Sequence, residues 1–381
     1  MPGAAPQLAM VAGEASGDLL AGLLLAGLRE RWPALDAAGI GGPKMAAQGF
    51  QAWWPHDRLA VRGYVEVLLH YRQIAGIRNT LAQRLIAAPP QAFIGVDAPD
   101  FNLGLEQRLR ANGIKTIHFV CPSIWAWRGG RAKAMAQSCD HVLCLFPFEP
   151  ALLQAQGVAA TYVGHPLADA IPQVVPRAAS RAALGLSEAD VVVAVLPGSR
   201  RSEIQAVAPA FLRAAALMHR QRPGLTYILP VAPGLRGLID PLLALHAPGL
   251  PLRCFDGQSH AALAACDVAL VASGTATLEA ALFKRPMVIG YRMNGLTWQI
   301  MKRLRYQPWV GLPNILCREF VVPEFIQERC TPQSLATAAL AWLDDTAGSA
   351  RLARRFDELH QLLRCDTARR ATDVIAQILQ A

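Results

Sequence analysis

Residues 266–293, CDVALVASGTATLEAALFKRPMVIGYRM, decide the fold. Val268 to Ala272 is a short apolar run with the length and composition of a buried parallel strand. Ser273-Gly274-Thr275 interrupts it. Ala276 to Phe283 holds helix formers without a breaker, Pro286 stops that helix, and Met287 to Tyr291 is apolar again. Strand, small-residue turn, helix, strand predicts a βαβ unit. The turn points the N–H groups of Ser273, Gly274 and Thr275 out from a helix N-terminus, where unpaired donors and the helix dipole attract an anion such as phosphate. Glu279, one turn further on, is placed to accept hydrogen bonds from ribose hydroxyls. An ordinary capped helix with a solvated Glu279 is the plainer alternative.

The same pattern recurs outward from this stretch. Val191 to Leu196 reads as a strand, followed by Pro197-Gly198-Ser199-Arg200-Arg201-Ser202-Glu203 and a helix to about Arg220. Leu225 to Val231 and Leu252 to Phe255 are further strands. Ile171 to Arg177 (IPQVVPR) has the composition of a linker. Before it, strands are predicted at Gln7 to Ala12, Ala92 to Val96, Lys115 to Val120, His141 to Leu145 and Thr161 to Val163. The first ends in Gly13-Glu14-Ala15-Ser16-Gly17-Asp18 with a helix from about Leu19 to Arg31, and Gly39 to Gly42 reads as another glycine turn. Glu14 occupies the position where a pyrophosphate would sit in a dinucleotide fingerprint, which favours a neutral, hydroxyl-bearing ligand there. Two α/β halves follow, with strands about 20 to 25 residues apart in the first, as in repeated βα units. The last 30 residues read as helical and Arg-rich.

Composition limits the function. The chain has 381 residues, 53% of them hydrophobic, enough for two domains with full cores. No run of 18 apolar residues is free of charge, so no transmembrane helix is predicted, and no signal peptide is evident. The eight cysteines lack CxxC or Cys/His ligand spacing, which predicts buried free thiols rather than disulfides or zinc. The net charge of +9 calls for an anionic partner: a phosphorylated substrate, anionic lipid or nucleic acid. No recognition-helix, RRM or KH signature is present, so no nucleic-acid partner is expected. Leu59 to Ile86 mixes Tyr64, Val67 and Leu68 with Arg62, Arg72, Arg78 and Arg84 just after Trp53 and Trp54. Such a stretch suits a lipid interface or an acyl-chain pocket; core-facing helices with snorkelling arginines are the alternative.

The two turns after strands in the second half, at Ser199-Arg200 and Ser273-Gly274-Thr275, should share one sheet edge and cradle a diphosphate. Arg200 adds a permanent charge with a planar donor fork. Backbone groups from Gly290 to Met293 are placed to read a base edge. Asp97, at the end of a strand, with Glu14 and Asn102, would approach from the first half. Phosphates on one wall of an interdomain cleft and a carboxylate on the other predict a two-domain nucleotide-sugar glycosyltransferase.

The chain also resembles the lipid-A-disaccharide synthase family over nearly its whole length. The resemblance rests on GEASGD (13–18), GIGGPKM (39–45), EVL (66–68), GVDAPDFN (95–102), CPSIWAWR (121–128), FPFE (146–149), VGHPLAD (163–169), LPGSRRSEI (196–204), ASGTATLE (272–279), YRMN (291–294) and GLPNIL (311–316), in this order. Arg62 and Cys121 depart from the family's usual Met and Ser. The resemblance implies a GT-B architecture, two Rossmann-like doubly wound domains facing a cleft: residues 1–170 for the acceptor, joined by a C-terminal helix at about 362–381, and residues 171–361 for UDP-sugar. It implies an inverting transfer from UDP-2,3-diacylglucosamine to the 6-hydroxyl of 2,3-diacylglucosamine 1-phosphate (lipid X). Inversion needs one base and no covalent nucleophile. Asp97 is the expected base, with Glu14 second or orienting the acceptor, and His118 and His165 as lesser candidates. Ser199, Arg200, Ser273, Gly274, Thr275, Glu279, Gly290, Met293 and Asn314 are the expected UDP contacts; Ser16, Asn102, Arg62, Tyr64, Val67 and Leu68 those of acceptor and lipid. No cofactor and no metal are expected, since Asp97-Ala98-Pro99-Asp100 is not a metal-binding DxD. Lipid substrates and basic charge imply a peripheral enzyme on an anionic membrane, on the cytoplasmic face of a Gram-negative inner membrane, with Trp298 to Trp309 as a second lipid contact and room for a homodimer. The rivals are another UDP-N-acetylglucosamine transferase or epimerase, and a non-catalytic nucleotide- or lipid-binding module.

Overall fold

A computed structural model describes residues 5–59, 64–125, 130–293, 295, 298–299 and 307–380, with residues 64–71 described by backbone alone. The chain divides into two compact units: Met1–Ala170 with Leu363–Ala381, and Ile171–Leu362.

The first unit is built on seven parallel strands: β1 (Gln7–Ala12), β2 (Asp36–Gly41), β3 (Gln51–Pro55), β4 (Ala92–Val96), β5 (Lys115–Phe119), β6 (His141–Cys144) and β7 (Ala160–Tyr162), in the order β3-β2-β1-β4-β5-β6-β7. Strand periodicity sorts β1 between two cores. Leu8, Met10 and Ala12 face one cluster with Leu24, Leu28 and Ile375; Ala9 and Val11 face another with Leu81, Phe93 and Phe101. A sheet covered on both faces buries its central strands completely, which is why they read as continuous apolar runs. The Thr367–Gln380 helix packs on the Ala15–Arg31 helix within this unit.

The second unit carries six parallel strands: β8 (Val191–Leu196), β9 (Leu225–Val231), β10 (Leu252–Asp256), β11 (Val268–Ala272), β12 (Met287–Tyr291) and β13 (Glu324–Ile326), in the order β10-β9-β8-β11-β12-β13. Helices Arg201–Gln221 and Pro332–Asp344 close one face over Val193, Val195 and Leu270.

Two readings of the sequence need correction. Gly39 to Gly41 is not a turn but part of β2, buried beside Met10 and Val11 of β1; small residues there allow close strand packing and mimic a turn. The first helix begins at Ala15, not Leu19, because Asp18 N–H already bonds the Glu14 carbonyl at 2.8 Å. The Asp18 carboxylate is buried and accepts from the backbone N–H groups of Gly42, Lys44 and Met45, so its role is to hold the next helix start. Strands β3 and β13 had no clear signal in the sequence.

Candidate active site

In each unit the strand order reverses beside the first strand, and there the carboxyl ends of two neighbouring strands open a crevice. In the second unit that point lies between β8 and β11. Ser199 and Arg200 follow β8, and Ser273, Gly274 and Thr275 follow β11, so the two turns are neighbours on one edge. Gly274 and Thr275 are exposed at the start of the Thr275–Leu282 helix, which has no side-chain cap. The Ser273 N–H, expected to point outward, instead donates to the Gly290 carbonyl at 3.3 Å and so extends the sheet.

The other turn is partly self-satisfied. Arg200 Nη1 donates to Glu203 Oε1 at 2.7 Å, and the Ser199 N–H donates to Glu203 Oε2 at 3.3 Å. Glu203 was not singled out in the sequence, although a carboxylate three residues into a helix is a common reciprocal cap. Glu279 is largely buried, its carboxylate 3.6 Å from His260 Nε2. Burial raises its pKa, and the His260 charge opposes this. Nothing near His260 in the sequence marks it.

Three expected nucleotide contacts are used by the fold itself. Gly290 is buried inside β12 over Phe211. Met293 is clipped at both its N–H and its carbonyl by the Gln327 amide, each at 3.1 Å. Asn314 is fully buried; its amide bonds Val322 and the Glu324 carboxylate, while Glu324 accepts the N–H groups of Val310 and Gly311. Asn314 therefore fixes the chain after residue 310 rather than facing this edge.

In the first unit the reversal lies between β1 and β4, and their ends carry Glu14 and Asp97. A β-carbon on Gly13 would fall 2.9 Å from Ala98 Cβ, so the two turns touch. Asp97 and Ala98 both have left-handed backbones, with φ of 51° and 42°. Such a conformation costs a non-glycine residue about 1–3 kcal/mol and persists only where neighbours enforce it. Here Asp97 N–H donates to the Phe119 carbonyl at 2.9 Å, and the Asp97 carbonyl accepts from Asn102 Nδ2 at 2.8 Å. Asn102 is fully buried, so it holds this turn and does not present itself to a lipid. Ser16 is half-buried in the first turn of the Ala15–Arg31 helix.

Arg62 lies outside the described residues, as do Trp127, Arg128 and most of 298–309. Tyr64, Val67 and Leu68 open the Tyr64–Ala87 helix, and their side chains lie outside as well. His165 is buried, its pKa pushed down to about 4 by desolvation, and its Nδ1 accepts the Leu167 N–H. It is a structural histidine. Further along the edge, Trp125 meets Phe146 and Phe148 edge-on, and its Nε1 donates to Glu149 Oε1 at 3.0 Å. Glu149 joins the end of β6 to the loop after β5, and no property of its sequence neighbourhood announced that link.

The family profile described as lipid-A-disaccharide synthetase matches residues 8–376. The chain is 59% identical over 379 residues to a lipid-A-disaccharide synthase of Albidiferax ferrireducens, covering 98% of this chain and 97% of that one. It is 55% identical to one of Paraburkholderia xenovorans, with coverages of 98% and 96%. Among solved structures, Acinetobacter baumannii MurG superposes with a TM-score of 0.59 at 15% identity, over 98% of this chain and 99% of that one. A Neisseria meningitidis UDP-GlcNAc 2-epimerase bound to UDP-GlcNAc gives 0.60 at 10% identity, over 98% and 99%. At such identities these two speak for a GT-B fold alone.

Proposed function

The chain belongs to the lipid-A-disaccharide synthase family, a family of glycosyltransferases, and on that premise we propose which residues carry the transfer. The donor is UDP-2,3-diacylglucosamine, the acceptor 2,3-diacylglucosamine 1-phosphate. The acceptor 6-oxygen bonds to the donor anomeric carbon as the bond from that carbon to the diphosphate oxygen breaks. The 6-hydroxyl proton passes to a carboxylate, and the electron pair leaves on UDP. The product is the β-1,6 disaccharide 1-phosphate.

The second unit binds UDP: the start of the Thr275–Leu282 helix and Arg200 take the diphosphate, and Glu279 takes the ribose. Preorganised donors are most effective where charge develops, and loss of one costs about 3 kcal/mol in comparable sites. Asp97 is the base. A sugar hydroxyl is a weak acid, so proton removal accompanies attack, and a positioned base contributes about 10² to 10⁴ in rate. Glu14 and Ser16, one turn away, orient acceptor hydroxyls. The single observation that carries this reading is the placement of Glu14 and Asp97 on touching turns at the strand-order reversal of one unit, matched by Ser199, Arg200 and Ser273 to Thr275 at the reversal of the other.

Disaccharide formation from the two lipids, followed across pH in wild type, Asp97→Asn and Glu14→Gln, tests it. Asp97→Asn should lower turnover by about 10² to 10⁴ while UDP still binds; near-normal turnover would remove Asp97 from the role. Acyl chains on both substrates and the charge of +9 support peripheral association with an anionic membrane on its cytoplasmic face. No helix among the described residues is long and apolar enough to cross a membrane. Cosedimentation with anionic vesicles at low salt should be strong and should fade with salt; absence of binding would sink that part.

A further inference from the structure

Beneath the Asp97 turn lies a buried polar cluster that the transfer step does not use. Asn102, Glu106 and His118 are each at 0% exposure. Asn102 and Glu106 stand four residues apart, on one face of the Pro99–Arg110 helix. His118 comes from β5, where it pairs with Gly95 of β4. A β-carbon on Gly95 would collide with the Glu106 carboxylate, so the glycine makes the room that the carboxylate occupies. There Glu106 Oε1 lies 2.8 Å from His118 Nδ1. Asn102, on the same face, holds the Asp97 carbonyl.

A core gains little from such a pair, since desolvation offsets the attraction. This one also leaves Asn102 Oδ1, Glu106 Oε2 and His118 Nε2 without a protein partner among the described residues. A cluster that leaves such atoms unsatisfied calls for a role besides packing. Burial disfavours the imidazolium, but the charge and hydrogen bond of Glu106, then the charge of Asp97, outweigh that and raise the His118 pKa. The other neighbours add little charge. Cys139, at the end of the Arg131–Ser138 helix, is kept a neutral thiol chiefly by burial, and Val142 beside His118 on β6 is apolar.

We propose that Glu106 and His118 are positioning residues for the transfer: the buried carboxylate–imidazole pair braces the strained Asp97 turn and sets an imidazole within electrostatic reach of its carboxylate. This rests on the reading of Asp97 as the base. Steady-state kinetics over pH 5–9, UDP affinity and thermal midpoint are to be measured for wild type, His118→Gln, Glu106→Gln, the double variant and Asp97→Asn. His118→Gln should lower kcat roughly ten- to hundredfold, with KM for both lipids and UDP affinity held within about twofold. The acid limb of its kcat profile should move to higher pH, because the Asp97 carboxylate has lost a neighbour that interacts favourably with its charge. Glu106→Gln should act in the same direction, and the double variant should be no worse than the worse single one.

A folded His118→Gln with unchanged kcat and an unmoved acid limb overturns the proposal, as does a loss that appears equally in UDP affinity. If Asp97→Asn retains turnover, the base assignment fails and the proposal with it. If Asp97→Asn is inactive while the His118 profile is unmoved, only the positioning role fails. Should the His118 variant not fold, imidazole ¹⁵N titration of wild type and Asp97→Asn decides. A lower His118 midpoint in Asp97→Asn is expected; equal midpoints overturn the proposal.

Discussion

The Glu203 carboxylate takes the Ser199 N–H and an Arg200 guanidinium nitrogen, two donors that a phosphate would use. On the proposed reading, an incoming diphosphate would compete with a negative side chain of the same helix turn. Glu203→Gln keeps the length of the side chain and removes its charge. UDP should then bind about three- to tenfold tighter at low salt, with the gain shrinking as salt screens it; calorimetric titration at two ionic strengths checks this, and weaker binding would mean that Glu203 aims Arg200 instead. Arg200→Ala should weaken UDP binding at least tenfold in the same assay. The residue types at these positions were legible in the sequence. The left-handed backbone of Asp97 and Ala98 was not, because neither residue is glycine and the bond to Phe119 that helps to hold it comes from a neighbouring strand.

Between elements, buried carboxyl groups act as ties. Glu149 joins Trp125, after β5, to the Phe146 N–H, after β6, and burial pushes its pKa up to about 8 against those hydrogen bonds. In the unfolded chain the same group ionises near pH 4.3. Between these values the unfolded chain releases a proton that the folded one keeps, so this group's contribution to stability is full below about pH 4, declines as pH rises and levels off above about 8. The whole decline is on the order of 5 kcal/mol. Urea unfolding of wild type and Glu149→Gln from pH 5 to 9 should show a flatter curve for the variant; parallel curves would refute this. Asn314 is the corresponding tie in the second unit. Asn314→Ala leaves Glu324 and the Val322 backbone short of partners and should cost about 2–3 kcal/mol in the same experiment, with little change in UDP affinity at an otherwise folded site.

At the scale of the molecule, the chain completes its first unit last. Ala371 and Ile375 of the final helix share a core with Leu24, Leu28 and Met10, and Arg31 pairs with Asp373 at 2.7 Å. Ending the chain at residue 362 would expose that face. Hydrogen exchange should then show lost protection in β1 and β2 and retained protection in β8 and β11; protection kept in both sheets would mean that the helix is dispensable.

Most central strands with the helices that follow them, the two α/β halves, the small-residue turns after β8 and β11 and the carboxylates at strand ends were written in the sequence, because apolar runs, breakers and glycine turns act through bonds to near neighbours. The resemblance to the synthase family was legible in the same way, through motifs in a fixed order. Tertiary structure alone decided which strands lie side by side, and so which loops meet at the two reversals. It decided that the Ser273 N–H, Gly290, Met293, Asn102 and Asn314 are tied into the fold, and that Glu203 pairs with Arg200, His260 with Glu279 and Glu106 with His118. The physical reason is that burial and pairing depend on residues far apart in the chain: a side chain is a ligand contact or a structural tie according to what fills the space around it, and local sequence does not carry that information.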